Sequence, residues 1–197
     1  MSKIKLSSNA SGTGNVTVIS PATNSDRTIT LPDGDGALPL MKLETAVTAS
    51  GTSVDFTSIP SWVKRITVMF SGVSTSGTSQ PYLQIGDAGG IESAAYLNFV
   101  ASVSTAANTT SGSLSITAAF PLYTGATVAL ASMNGALTLS KLNSNIWVIS
   151  GVLLSGQRGV MLGGSKELSD TLTQVRITTA NGTDTFDAGT INIMLEG

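Results

Sequence analysis

Short stretches in which apolar side chains alternate with hydroxyls constrain this chain more than any other feature. Arg65-Ile-Thr-Val-Met-Phe sets Ile66, Val68 and Phe70 on one side, and Leu114-Ser-Ile-Thr-Ala and Val175-Arg-Ile-Thr-Thr repeat the pattern. A period of two describes a strand with one buried and one wetted face. From about residue 42 such segments recur every ~8–12 residues, the spacing of a sandwich or barrel. Strands are expected at Leu43 to Ala49, Ser53 to Phe56, Lys64 to Gly72, Tyr82 to Ile85, Ala95 to Val103 and Leu114 to Phe120. Five more are expected at Thr127 to Met133, Leu137 to Leu142, Ile146 to Leu154, Leu172 to Thr179 and Thr190 to Leu195. Turn chemistry separates them at Ser76-Gly77, Asp87 to Gly90, Ser111-Gly112, Asn134-Gly135, Gly163-Gly164 and Asn181-Gly182. Asn134-Gly135 is the strongest tight-hairpin signal, because both residues tolerate positive φ. Ser165 to Leu172 has room for one helical turn capped by Ser165; otherwise the expectation is all-β.

Composition agrees and removes chemistry. Among 197 residues there is no His and no Cys, charged residues are 11%, and Ser and Thr are abundant. Without Cys there are no disulfides, thiolate nucleophiles or thiolate metal sites. Without His the Ser-His-Asp triad and imidazole ligands are gone. Ten Lys and Arg against twelve Asp and Glu leave no basic footprint for nucleic acid. No apolar run approaches the ~18 residues of a membrane span, and the start, Met1-Ser-Lys-Ile-Lys-Leu, lacks the apolar core of a secretory signal.

Residues 1–41 differ from the rest. Ile4 and Leu6, Val16 and Val18, and Ile29 and Leu31 form short period-two pairs between polar loops. So few apolar side chains cannot close a core alone. Copies from several chains sharing these faces would be stable, so the segment is expected to take part in an oligomer. The division expected is 1–41 and 42–197.

Carboxylates are the remaining catalytic candidates. Asp87 with Glu92, or Asp184 with Asp187, could act as an acid–base pair on a glycoside; the simpler reading is that Asp in glycine-rich turns caps the backbone. Asn181, Asp184 and Asp187 lack the dense oxygen-ligand spacing of a calcium loop. No glycine cluster matches a phosphate or dinucleotide motif. Of the aromatics, Trp147 lies in an apolar strand and reads as core. Trp62, Tyr82 and Tyr96 are candidate surface-binding residues, since Trp62 precedes a strand and the two tyrosines flank the Asp87–Gly90 loop.

Two stretches resemble tailed-bacteriophage fibre and tail-appendage proteins. Pro21-Ala-Thr-Asn-Ser-Asp-Arg-Thr-Ile-Thr-Leu-Pro-Asp-Gly-Asp-Gly-Ala-Leu looks like a connector and shaft module. The stretch Gly51-Thr-Ser-Val-Asp-Phe through Trp62 to Gly72 looks like the start of a distal β-sandwich module, with similar later parts at Asn145-Ile-Trp-Val-Ile-Ser-Gly and Val175-Arg-Ile-Thr-Thr-Ala-Asn-Gly. The resemblance implies a homotrimer with an N-terminal β shaft and a C-terminal, jelly-roll-like antiparallel sandwich. It implies a virion structural protein, a tail fibre or fibre tip presenting loops to the host surface. A capsid decoration or head-fibre protein is the alternative, and a glycan-degrading appendage a remote one. The expected partners are further copies of the chain, another virion protein through the N-terminal segment, and host cell-surface glycan, with no nucleic acid, membrane insertion or cofactor and no enzymatic activity. The expected location is the virion, after assembly in host cytoplasm.

Overall fold

The computed structural model describes residues 39–104, 109–112, 116–124, 129 and 132–197. All lie in one unit, Leu38–Gly197, separate from Met1–Ala37. The shaft candidates Ile4, Leu6, Val16, Val18, Ile29 and Leu31 fall outside the described residues.

The described residues are all-β, in two sheets. The larger runs from edge to edge as β1 (Met41–Leu43), β14 (Phe186–Glu196), β4 (Arg65–Thr75), β10 (Met133–Asn143), β11 (Ile146–Ser155), β12 (Arg158–Glu167), β7 (Leu97–Ser104) and β8 (Thr109–Gly112). A short β2 (Val47–Thr48) also lies on β14. The smaller sheet orders β3 (Ser53–Phe56), β13 (Gln174–Thr179), β5 (Pro81–Asp87) and β6 (Gly90–Ile91), with β9 (Phe120–Pro121) also on β5. Every pairing is antiparallel. β1 begins at Met41, one residue ahead of the expected boundary, because it pairs with β14 in the body of the sheet.

One core lies between the sheets. The alternation places Ile66, Val68 and Phe70 of β4 and Ile191, Ile193 and Leu195 of β14 on its floor, all buried. Leu83 and Ile85 of β5 and Val175 and Ile177 of β13 form its roof. Burying each such side chain contributes about 1.5–3 kcal/mol against the ordering cost. Ile59 and Val63, buried in the crossing from β3 to β4, close one end, with Ile59 N–H donating to the Thr173 carbonyl at 3.0 Å.

A paired irregularity re-aims β4 and β14. Gly72 (φ 65°) and Gly189 (φ 93°) lie opposite each other, and a Cβ on Gly189 would stand 2.5 Å from the Gly72 carbonyl. Only glycine permits that approach. After it the inward set of β4 shifts from Phe70 to Val73 and Thr75. The Gly72 N–H, lost to the ladder, donates to Asn134 Oδ1 at 2.8 Å.

That contact explains one departure from expectation. Asn134-Gly135 is not a hairpin turn but lies within β10, at the bulge facing β4. The β10–β11 turn falls at Ser144-Asn145 instead. Gly163-Gly164 is also no turn. It lies inside β12, which pairs without interruption on both sides, and the expected helical turn from Ser165 is absent because Ser165 to Glu167 continue the strand. A Cβ on Gly164 would meet the Leu97 carbonyl oxygen at 2.3 Å, so here glycine serves strand contact. Of the expected strand Leu114 to Phe120, residues 116–119 are not strand and only Phe120 reaches β9; 113–115 fall outside the described residues, as does most of Thr127 to Met133.

Candidate functional site

The strands give the body two ends. At one end Leu40 and Gly197 exchange backbone hydrogen bonds, at 3.3 and 3.0 Å, beside Arg65, Lys141, Ile146 and Glu167. The described residues begin at this end. β4 runs away from it for eleven residues, about 35 Å at roughly 3.3 Å per residue. At the far end lie loops 76–80, 156–157 and 181–185, built of hydroxyls, amides and glycine.

The far-end loops are internally tied. Asp184 Oδ2 accepts the Ser79 N–H at 2.8 Å and Oδ1 accepts Asn181 Nδ2 at 2.9 Å. Asn181 Oδ1 accepts the N–H groups of Thr183 and Asp184, each at 3.0 Å. The Asn181 amide and Ser79 N–H hold the Asp184 carboxyl below its usual value. Asp187 instead accepts from the Ser74 hydroxyl. Asp184 and Asp187 thus have different partners, Asp184 the Ser79 N–H and the Asn181 amide and Asp187 the Ser74 hydroxyl. Among the described residues no group of three acidic side chains could hold a metal ion.

Asp87 and Glu92 do meet, through Ser169. Asp87 Oδ2 accepts the Ser169 hydroxyl at 2.6 Å, and Glu92 Oε1 accepts the Ser169 N–H at 2.7 Å. Asp87 Oδ1 accepts the Gly89 N–H at 2.7 Å. These bonds, that of Ser169 foremost, lower the Asp87 carboxyl. Burial alone would raise Glu92, but Lys166 and Ser169 outweigh it and its carboxyl also sits low. Lys166 is 4% exposed, paired with Glu92 and lying 5.6 Å from the Tyr96 ring centre. Every carboxylate oxygen here already has a partner, so the group staples the β5–β6 hairpin to loop 168–173. A cleft of about 710 Å³ opens beside it, lined by Glu92, Leu97, Asn145, Ser165, Glu167 and Ser169 among others.

The aromatic candidates separate. Tyr96 is not a surface residue: it is fully buried, edge-on to Phe120 at 4.8 Å. Its hydroxyl donates toward the Ile85 and Glu92 carbonyls, at 3.1 and 2.9 Å, and accepts the Ile85 N–H at 2.9 Å. Burial pushes its pKa up. Ala95, at φ 58°, precedes it in a left-handed turn that sequence reading does not reveal. Trp62 is half-buried against the core at the end where residue 40 enters, beside Gly197. Tyr82 is half-buried on β5, near its far end, and burial raises its pKa. Trp147 is buried, as its strand implies.

What sequence reading missed is the outer face of the larger sheet. Register aligns Met69, Ala136, Val152, Met161 and Ala101 in one row across it. A neighbouring row holds Met194, Thr67, Thr138, Ser150, Gly163 and Phe99. No charged residue occupies either row. Charges lie at the margins: Arg65 pairs with Glu196 at the Leu40–Gly197 end, and Asp187 accepts from Ser74 at the far end of β14. Large apolar side chains nonetheless stand in solvent: Val152 is 59% exposed, Phe99 54% and Met161 48%. The signal was legible as an exception, since the outward positions of β7, β11 and β12 are not uniformly hydroxyl.

No protein-family model, curated protein or solved structure matches this chain.

Proposed function

We propose that the chain is a bacteriophage virion structural protein, a homotrimeric tail fibre or fibre tip that presents loops for binding the host surface. The observation that carries this reading is the polarity of the body. Leu40, where the β body begins, lies at one end, while loops rich in hydroxyl and amide groups stand about 35 Å away at the other. A protein attached through its N-terminal segment and reaching outward needs this arrangement. Asp184, Asn181, Ser76 and Ser79 hold the far loops rigid, which lowers the entropic cost of binding a polyhydroxylated surface. Three copies on several fibres would convert weak single-site contacts into avidity. The resemblance of the Pro21–Leu38 and Gly51–Gly72 stretches to phage appendages supports the same reading.

Electron microscopy of virions labelled at residue 197 tests the location. Label at a fibre end is the expected result, whereas label over the capsid replaces the tail reading with a decoration or head-fibre role. Unchanged adsorption by particles lacking the protein removes the receptor-binding role.

A further inference from the structure

We propose that the uncharged outer face of the larger sheet packs against another copy of this chain. The inference deepens the self-association in the proposed function and names its surface.

Two strand glycines motivate it. Gly159 and Gly163 lie inside β12, on the outer face, where the ladder to β11 and β7 has no bulge. Glycine within a strand weakens it and marks a close approach or a kink. Neither has an internal reason: a Cβ on Gly159 would meet nothing within 4 Å, and on Gly163 only the Ile149 carbonyl oxygen at 3.8 Å. Each glycine sits beside exposed bulk, Gly159 between Val103 and Leu154 and Gly163 next to Phe99. The face therefore alternates projecting side chains with gaps, and the gaps are open only toward the outside. A surface that carries both can take its own projections into its own gaps.

Charge selects the same occupant. Interfaces between like copies are more apolar than those with a different partner, and the central rows of this face carry no charge. Two copies meet there without like-charge repulsion, and the Arg65–Glu196 pair at the margin is neutral as a unit. Area is sufficient. Six strands, β14 to β7 in sheet order, spaced about 4.8 Å and crossed by these two rows and the one through Leu154, Gly159 and Val103, present roughly 600 Å² in projection. A standard interface buries about 800 Å² of accessible surface per partner, and accessible surface exceeds projected area. A glycan would seek polar aromatics, whereas Tyr96, Tyr123 and Trp147 are buried away from this face.

The test uses the full chain. Light scattering across a dilution series should give an oligomer for the unaltered protein. Met161→Glu and Val152→Glu, each placing a charge in the central row, should raise the dissociation constant ~100-fold or more. Thr57→Glu, an exposed position elsewhere, should leave it unchanged. A monomeric unaltered protein overturns the proposal together with the trimer. An oligomer indifferent to both central charges overturns the surface alone and leaves the trimer standing. A second measurement covers misfolding of the charged variants. The chain lacks cysteine, so Met161→Cys supplies one thiol. Its maleimide labelling should be slow in the concentrated oligomer and speed up on dilution. Rapid labelling in the oligomer refutes the proposal, as does slow labelling at monomeric mass, which would mean that the chain's own N-terminal segment covers the face.

Discussion

Tyr96→Phe removes one oxygen from the centre of the body and nothing else. The ring keeps its edge contact with Phe120 and its place beneath Lys166. What is lost is the acceptor for the Ile85 N–H at 2.9 Å and the donor shared by the Ile85 and Glu92 carbonyls. The Ile85 carbonyl still receives the Glu92 N–H at 3.2 Å, but the Ile85 N–H loses the buried acceptor it faces. An orphaned buried donor costs about 1–3 kcal/mol and a lost neutral hydrogen bond about 1 kcal/mol more. The expected loss is therefore roughly 2–4 kcal/mol, with Tm lower by about 5–10 °C for a body of this size. Urea unfolding at one fixed protein concentration measures it, because association would otherwise move the midpoint. The m-value should not change. A loss below about 0.5 kcal/mol would refute the claim that this hydroxyl joins β5 to the 92–97 loop.

Further perturbations test other contacts of the same body. The folded pKa values of Asp87, Glu92 and Asp184 are lowered, so their stabilisation is complete above the unfolded carboxylate range near pH 4 and is lost as pH falls through the folded values. Thermal melts should show a flat Tm above about pH 5 and a decline below about pH 4; a Tm that rises on acidification contradicts the capping roles. Lys166→Met leaves the Glu92 carboxylate without its cation and should cost about 2 kcal/mol, less than a fully buried pair because Glu92 is 23% exposed. Adding Glu92→Gln should recover part of that loss in a double-mutant cycle. Gly189→Ala drives a Cβ into Gly72 at positive φ and should cost more than about 2 kcal/mol. Gly159→Ala meets nothing within 4 Å and should leave folding of a single copy within about 0.5 kcal/mol. Chemical denaturation of both glycine variants at one low protein concentration compares them.

Periodicity in the sequence determined the class and the inward residues. Ile66, Val68 and Phe70, Val175 and Ile177, and Ile191 and Ile193 all face the core as their alternation requires. The side-chain period of a strand is two whatever its neighbours are, so burial of one face is written locally. Only the tertiary structure decided which strands adjoin. β14 lies between β1 and β4, and β13 between β3 and β5, pairings that no local pattern encodes. It also overrode turn chemistry at Asn134-Gly135 and Gly163-Gly164, where local preferences of about 1 kcal/mol compete with a continuous ladder. Tyr96 followed the same rule: set between Ala95 and Leu97 beside a glycine-rich turn, it was drawn inside because its hydroxyl satisfies backbone groups that would otherwise be buried unpaired. The candidate interaction face needed both levels. Its residues were visible as exceptions to the hydroxyl-outward rule, but they form a surface only because register aligns separate strands row by row.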